Sequence, residues 1–321
     1  MNFRLIAYLV SVLVVCLGLS MCLPLFVAFY YNDGSALAIL ISMTVTCGMG
    51  GSVFLWTRGH CDYYLGHRDG MAIVTIGWIT AGFVAVLPYM MSGAIPDFTA
   101  AYFEAMSGFT TTGASILQNI EVLPPAILFW RAQTQWLGGM GIIVLSIAIL
   151  PFLGIGGMQL YKAETPSPVE DKLTPRISET AQALWRIYIF MTLFQILLLL
   201  IGGMSLYDSV YHSFTTLPTG GFSPKNASVG YYQSPYIDIV IIIFMFLAGA
   251  NFALHYRFLT GKPGAFLKDE EFRCYAGVVV LSTAALTAVL LLRGTYGSFW
   301  EALRFGAFQV VSIITTTGYV T

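Results

Sequence analysis

Charged residues are scarce in this 321-residue sequence, in which Asp, Glu, Lys and Arg together make up 10% and hydrophobic residues 57%. Soluble proteins carry about 25% charged residues, so a water-soluble globular protein is excluded. The net charge of -1 gives no reason to expect a nucleic-acid partner, because in such a chain the side of the bilayer on which each charge lies matters more. A mean hydropathy of +0.76 therefore indicates an integral membrane protein in contact with a lipid bilayer.

Cysteines are few, and the common catalytic motifs are missing. The five cysteines are odd in number and form no CxxC pair, which argues against a disulfide framework and favours thiols that pack as small hydrophobic groups. The sequence has no HExxH or GxSxG motif, and Gly154–Gly157 lacks the lysine of a phosphate-binding loop. We therefore expect neither an enzyme nor a bound cofactor.

The sequence is instead rich in apolar segments of about 20 residues, the length that a helix needs to cross a bilayer. Seven spans are predicted, at residues 5–30, 36–57, 71–91, 126–152, 184–206, 236–259 and 275–293. The first follows Arg4, but it is too long for a signal peptide and shows no small-residue cleavage site. These spans predict an all-α membrane protein.

Three threonine-rich segments that end in glycine lie outside the predicted spans. They are Ser107–Gly113, Ser213–Gly220 and Ser312–Gly318, and their glycines are roughly 100 residues apart, a period that accommodates two spans and a loop. One such segment alone is explained by a turn or a helix cap. Three copies with the same flanks indicate a shared structural role.

A short, moderately apolar stretch precedes each of these segments. Its predicted capping residue is Asp97 in the first copy, Asp208 in the second and Ser298 in the third, where Glu301 completes a capping box. Each stretch is too short to cross a bilayer, which predicts a half-helix that enters the membrane and ends at the threonines. Non-helical backbone at that depth is tolerated only where it lines a watery path walled by protein.

The threonine-glycine segments fit the needs of a dehydrated monovalent cation. Such an ion requires a ring of oxygens in place of its hydration shell, and backbone carbonyls turned inward supply them. Turning successive carbonyls to one side requires a positive φ, which glycine adopts most cheaply, and this explains Gly113, Gly220 and Gly318. The threonine hydroxyls add further oxygens. We therefore predict that the three segments line one cation path.

The distribution of Lys and Arg predicts the orientation. If Arg4 is cytoplasmic and the spans alternate, eleven of the 15 basic residues lie on the cytoplasmic side, in agreement with the positive-inside rule. These are Arg4, Arg58, Arg68, Lys162, Lys172, Arg176, Arg186, Arg257, Lys262, Lys268 and Arg273. The three threonine-glycine segments then face outward, with acidic residues nearby that would attract a cation: Asp33, Asp97, Glu104, Glu121 and Asp208.

Longer motifs carry a family resemblance over the whole chain. They are Ala126–Arg131, Gln135–Leu145, Gly156–Tyr161, and His212–Phe214 leading to Gly220–Ser223. With the threonine-glycine segments, they resemble the TrkH/TrkG branch of the bacterial Trk/Ktr/HKT superfamily of K⁺ transporters. The resemblance implies span, pore-helix, filter, span repeats around a pseudo-fourfold pore, with two extra N-terminal spans.

The resemblance also implies roles for individual residues. It assigns the K⁺-binding filter to Thr111, Thr112 and Gly113, to Pro218, Thr219 and Gly220, and to Thr316, Thr317 and Gly318. Supporting positions are Thr110, Gly221, Thr315, Tyr319, Glu104 and Arg131. One glycine per filter predicts looser discrimination between K⁺ and Na⁺ than a filter with two.

On the same resemblance the chain divides into six parts. Residues 1–60 form an N-terminal two-span hairpin, 71–152 the first pore repeat, 153–183 a cytoplasmic connector, 184–259 the second repeat, 260–274 a cytoplasmic loop, and 275–321 a third, incomplete repeat. The family's third closing span with its gate loop, and its fourth repeat with a buried arginine, are absent. We therefore expect a C-terminally truncated chain that forms only part of the pore.

The implied function is uptake of K⁺, with Na⁺ as the alternative ion, across the bacterial inner membrane. A membrane potential of roughly -150 mV supplies about 3.5 kcal/mol per entering charge, so potential-driven, channel-like flow suffices, and proton coupling stays open. The resemblance further implies a homodimer and a peripheral cytoplasmic nucleotide-binding subunit of the TrkA type.

Alternatives remain open at this point. A secondary transporter of a small solute would need inverted repeats and charged intramembrane residues, which the sequence does not favour, and a non-conducting fragment that associates with other subunits is also compatible. Glu104 and Arg131 form either an ion pair that holds a pore helix or separate interfacial contacts. His212 is interpreted as pore-helix packing.

Overall fold

The computed structural model describes residues 2–59, 67–141, 177–262 and 264–321. Within these ranges the chain is helical and contains no β-strand. In chain order the helices are α1 Phe3–Ser20, α2 Cys22–Tyr31, α3 Ala36–Thr57, α4 His67–Met91, α5 Phe98–Phe109, α6 Pro125–Gly139, α7 Ile177–Ile201, α8 Leu206–Thr216, α9 Pro235–Ala248, α10 Phe252–Leu259, α11 Ala265–Lys268, α12 Glu270–Leu292 and α13 Phe299–Ile314. A 3₁₀ turn, Ser228–Tyr232, precedes α9.

Five of the seven predicted spans are confirmed as helices long and apolar enough to cross a membrane. They are α1 with α2 as one 29-residue span, α3, α4, α7 and α12. Their large apolar side chains stay on the surface of the chain; in α12, Leu281 is 73% and Leu292 88% exposed. Such exposure is expected of side chains that lipid covers, and it confirms a helical membrane protein.

The prediction of a continuous span over residues 236–259 is wrong. Helix α9 ends at Ala248, and the chain bends by 100° before α10 begins at Phe252. The side chain of Asn251 accepts a hydrogen bond from the Ala253 amide and so starts the new helix. Hydropathy alone does not reveal this break because both helices are apolar.

Helix α6 is similarly short. It covers the start of the predicted span 126–152 but ends at Gly139, after which Gly141 has a φ of 67°. The rest of that span and most of the predicted connector, residues 142–176, lie outside the described residues. Both α6 and α9, which we call the closing helices, begin with proline and run for 15 and 14 residues. At 1.5 Å per residue, this is about 22 Å of helix.

One compact unit of the chain comprises residues 1–110 and 114–185. Its core lies where α1 packs against α3 and α4, around buried residues such as Leu5 and Leu17. Polar groups tie α6 into this core: the Trp130 indole donates to the Ala85 carbonyl at 3.2 Å, and the Gln133 amide to the Ser20 carbonyl at 2.8 Å. The bond between Gln133 and Ser20 attaches the N-terminal helices to the first repeat.

The second unit comprises residues 186–321 together with Thr111–Gly113. Here α13 packs against α12 and α9, and Arg304 of α13 lies 3.4 Å from the Asp238 carboxylate of α9. Helices also extend further than the sequence indicated: α7 begins at Ile177, inside the predicted connector 153–183, and α12 begins at Glu270, inside the predicted loop 260–274.

Candidate ion-binding filter

Three short helices precede the threonine-glycine segments as predicted. These pore helices are α5, α8 and α13, with 12, 11 and 16 residues. Asp97 caps α5, as expected, by accepting from the Ala100 amide at 2.8 Å. The cap of α8 is Ser205 rather than Asp208, and Ser298 precedes α13 without a side-chain cap bond, so the predicted capping box is not formed.

Each pore helix leads into the same unusual backbone conformation. A threonine with positive φ is followed, two residues later, by a glycine with positive φ. The pairs are Thr111 (54°) and Gly113 (75°), Thr219 (54°) and Gly221 (71°), and Thr316 (60°) and Gly318 (80°). We therefore define the filter segments as Thr111–Gly113, Thr219–Gly221 and Thr316–Gly318.

This geometry corrects the prediction for the second segment. The sequence reading gave Gly220 the positive φ, but Gly221 has it, so Thr219, Gly220 and Gly221 correspond to the first and third triplets. Pro218 then takes the position of Thr110 and does not correspond to Thr111. Positive φ also occurs outside glycine, because a threonine adopts it in every segment, at a cost of roughly 1–2 kcal/mol.

Hydrogen bonds back to the pore helices support the same alignment. The Gly221 amide donates to the Thr215 carbonyl at 3.1 Å, and the Gly318 amide donates to the Ser312 carbonyl at 3.2 Å, each six residues earlier. Thr215, and not Ser213, is therefore the counterpart of Ser312. The predicted correspondence of Ser213 with Ser312 is therefore wrong.

The filter carbonyls point away from the pore helices. In a trans peptide the C=O of one residue and the N–H of the next point in opposite directions, and the described residues contain no cis peptide bond. Because the amides of Gly220, Gly221 and Gly318 bind pore-helix carbonyls, the carbonyls of Thr219, Gly220 and Thr317 face the other way. Those oxygens are the ones available to an ion.

The second and third filter segments touch each other. A Cβ atom added to Gly221 would overlap the carbonyl oxygen of Thr317, so glycine is required there for space as well as for its φ. The first segment, Thr111–Gly113, belongs to the same compact unit as the other two. The three filter segments thus lie within one compact unit.

Hydroxyl groups hold the ends of the filter in place. The Ser107 hydroxyl donates to the Ala114 carbonyl at 2.5 Å, and Ser312 makes the equivalent bond to the Tyr319 carbonyl at 2.7 Å. These two serines, the first residues of their predicted segments, fix the residue that follows the filter glycine. The signal was their shared distance of six residues before that glycine.

The supporting threonines close the last turns of their own helices. Thr110 donates its hydroxyl to the Met106 carbonyl and Thr315 to the Val311 carbonyl, both at 2.7 Å. Helix C-termini carry roughly half a negative charge, and all three pore helices end at the filter. This partial charge favours a cation.

Glu104 and Arg131 form the ion pair that was one of the two predicted alternatives. The Arg131 Nε lies 2.5 Å from Glu104 Oε1, and the side chains are 2% and 0% exposed. The Glu104 carboxylate also accepts from the Ser115 hydroxyl at 3.0 Å and the Ile116 amide at 3.1 Å. It therefore joins the first pore helix, the closing helix and the non-helical segment that follows the first filter segment.

The acidic residues expected at the outer mouth are largely engaged in structural contacts. Asp33 accepts from the Ala126 amide at 2.9 Å and from the Ser35 amide at 2.9 Å, so it caps α6 and binds the residue before α3. Asp97 caps α5, and Glu104 is paired with Arg131. Attraction of a cation must therefore depend more on the filter oxygens and helix ends than on these carboxylates.

The chain resembles known proteins over its whole length. The family model described as "TrkH: Cation transport protein" matches residues 35–321. The chain belongs to the TrkH family. The TrkH potassium uptake protein of Salmonella typhimurium is 43% identical over 325 residues, covering 100% of this chain and 67% of its own length. TrkG of Escherichia coli K12 is 32% identical, with 100% of this chain and 66% of that protein covered.

A solved structure of the TrkH family has the same fold. The crystal structure of the potassium transporter TrkH from Vibrio parahaemolyticus superimposes with a TM-score of 0.86 at 37% identity, covering 100% of this chain and 66% of that one. The chain thus spans about two thirds of the length of its relatives. The predictions of a TrkH/TrkG family protein and of a transport protein rather than an enzyme are confirmed.

Proposed function

We propose that this chain takes up K⁺ across the membrane through the main-chain oxygens of the three filter segments. The observation that carries the proposal is the threefold recurrence of one backbone conformation, a positive φ at threonine and again at glycine, at the end of each pore helix. A single occurrence would suit a helix cap. Three occurrences in one chain of a family of potassium uptake proteins support a shared ion path.

The proposed ion ligands follow from the direction of the peptides. The carbonyls of Thr219, Gly220 and Thr317 point away from the helices. The Pro218 carbonyl also points away, because the Thr219 amide binds the Thr216 carbonyl at 2.9 Å. Pro218 therefore remains a proposed flanking ligand. By the repeat of φ, the oxygens of Thr111, Thr112 and Gly113 take the same role in the first wall and those of Thr316 and Gly318 in the third.

Entry of the ion needs no bound cofactor in this proposal. Carbonyl oxygens replace water around the ion, the helix ends contribute partial negative charge, and a potential of roughly -150 mV supplies about 3.5 kcal/mol per charge. Proton coupling is compatible with the same path. Filters of three residues offer few ordered sites, so we propose a modest preference for K⁺ over Na⁺.

The wider assembly is proposed from the family alone. We place the three filter segments as walls of a pseudo-fourfold pore in the bacterial inner membrane, with the N-terminus cytoplasmic. A homodimer and a TrkA-like nucleotide-binding subunit on the cytoplasmic side complete the proposal. Most of the connector that would meet such a subunit, residues 153–176, lies outside the described residues.

Two glycine substitutions with matched geometry test the proposal. Gly318 has a φ of 80° and Gly34, in the exposed turn before α3, has a φ of 79°; a Cβ at either position would meet no atom within 4 Å. Gly318→Ala and Gly34→Ala therefore impose the same backbone strain, inside and outside the filter. The assay is uptake of K⁺ and Na⁺ by bacterial cells that lack their own K⁺ uptake systems.

We expect Gly318→Ala to abolish K⁺ uptake or its preference over Na⁺, because the strain changes the direction of a filter carbonyl. Gly34→Ala should lower protein stability at most and leave uptake unchanged. Equal uptake and equal ion preference in both variants, at equal protein levels in the membrane, would contradict the proposal.

A further inference from the structure

Tyr319, the residue after the third filter glycine, extends its side chain into the neighbouring repeat. Its side chain is 1% exposed. The phenol oxygen lies 2.5 Å from the Thr215 hydroxyl, 3.3 Å from the Thr216 hydroxyl and 3.3 Å from the His212 carbonyl oxygen. All three partners belong to α8, the second pore helix. A hydrogen-bonded link therefore joins the third filter wall to the helix that carries the second.

The main chain around Tyr319 is fixed as firmly as its side chain. The Tyr319 carbonyl accepts from Ser312 of its own pore helix. The next residue, Val320, accepts from the Gly230 amide at 3.1 Å and donates its amide to the Ser228 hydroxyl at 3.3 Å. The loop that follows the second filter segment thus holds the third segment from the other side.

Among the three filter segments, the third alone has a hydroxyl at this position. The residues equivalent to Tyr319 are Ala114 and Phe222, and neither side chain has a polar group. Next to this link, the second and third segments touch at Gly221 and Thr317. A change in the position of Tyr319 would therefore move the Thr317 carbonyl relative to the second wall.

We infer that the Tyr319 hydroxyl, through its bonds to α8, sets the separation of the second and third filter walls and so determines the preference for K⁺ over Na⁺. Tyr319 is a positioning residue, because its side chain acts through the filter carbonyls and does not itself bind the ion. Sites that discriminate by geometry must be held to within about 0.5 Å by supporting contacts, and the two ions differ chiefly in radius. The inference rests on the proposed function of the filter.

The test removes the hydrogen bond between Tyr319 and Thr215 from each side and nearly preserves the shape of both side chains. Tyr319→Phe deletes the phenol oxygen, Thr215→Val replaces the partner hydroxyl by a methyl group, and a double variant does both. We expect each single variant to lower the ratio of K⁺ to Na⁺ uptake by about two- to tenfold, the range that corresponds to the net contribution of one hydrogen bond. The double variant should be no worse than the more affected single one.

Two further variants separate this role from a general loss of structure. Thr215→Ser keeps a hydroxyl and should retain the normal ratio. Tyr236→Phe removes a phenol oxygen from a side chain that is 40% exposed on α9, and it should change neither ratio nor uptake. Thermal unfolding of each purified protein shows whether it has folded.

The outcomes decide between the two proposals. An unchanged ion ratio in Tyr319→Phe, or effects of Tyr319→Phe and Thr215→Val that multiply in the double variant, would overturn this inference. If Gly318→Ala destroys ion preference and Tyr319→Phe does not, the filter proposal stands and only the role of Tyr319 fails. If Gly318→Ala also has no effect, the proposed function itself is wrong.

Discussion

Replacement of Arg131 by methionine tests the buried ion pair behind the first filter segment. Arg131 is 2% and Glu104 0% exposed, and their charged groups are in direct contact. Methionine is also unbranched and keeps much of the packing, but it leaves the carboxylate buried without its counter-charge. Removal of one member of a buried pair costs about 3–5 kcal/mol. Two donors to Glu104 remain, from Ser115 and Ile116, so we expect the lower end of that range.

The magnitude is measured by thermal or denaturant unfolding of the purified protein in detergent. Arg293→Met is the matched control, because Arg293 follows the end of α12 and is exposed; it should unfold almost as the unmodified protein does. A second variant, Arg131→Met with Glu104→Gln, removes both charges. It should regain most of the lost stability, since replacement of a whole buried pair is often close to neutral.

The reasoning fails if Arg131→Met is as stable as Arg293→Met, or if the double variant is no more stable than Arg131→Met. Ion uptake gives a second reading of the same variants. Because Glu104 binds the Ile116 amide, three residues after Gly113, the single variant should also take up less K⁺ per folded molecule. The double variant should recover part of that uptake through the amide that replaces the carboxylate.

Two glycine substitutions test close approaches at the filter. Gly221→Ala should abolish K⁺ uptake, because its Cβ would overlap the Thr317 carbonyl and its φ of 71° is unfavourable for alanine. Gly249→Ala should lower stability by about 1–3 kcal/mol and reduce uptake, because its Cβ would lie 2.7 Å from the Tyr275 hydroxyl and 2.9 Å from the Thr315 methyl group. The control is Gly277→Ala, where no atom lies within 4 Å; equal uptake and unfolding in all three variants would contradict both expectations.

Hydropathy was enough to predict most of the helices. Five spans follow from length and apolarity alone, because a bilayer requires about 20 apolar residues per crossing. The ends of the pore helices were also predictable, since each stops at a threonine run. What the sequence did not reveal is where α9 breaks, because Gly249 and Asn251 interrupt a stretch that is apolar on both sides.

The register of the second filter segment shows a different limit. Thr219, Gly220 and Gly221 include two adjacent glycines, either of which tolerates a positive φ, so composition does not decide between them. The positive φ of Gly221 decides it, and that conformation depends on the three-dimensional path of the chain. The partner of Tyr319, about 100 residues earlier in sequence, was beyond reach for the same reason.

The early ends of the closing helices have a common physical logic. A helix of about 22 Å is shorter than the roughly 30 Å of a bilayer core, so its last carbonyls lie at membrane depth and need partners. The last carbonyls of α9 have such partners: the Tyr275 hydroxyl donates to the Phe246 carbonyl, and the His255 Nε2 lies 3.0 Å from the Leu247 carbonyl.

In each unit a glycine at the end of the closing helix lies directly against the start of the filter region. A Cβ at Gly138 would overlap the backbone of Phe109, the last residue of the first pore helix, and one at Gly249 would press on Thr315, which follows the third. In both units the end of a closing helix thus lies next to the end of a pore helix. Because each end carries partial negative charge, their meeting point favours a cation more than either helix alone would. That gives a physical reason for closing helices that stop short of a full span.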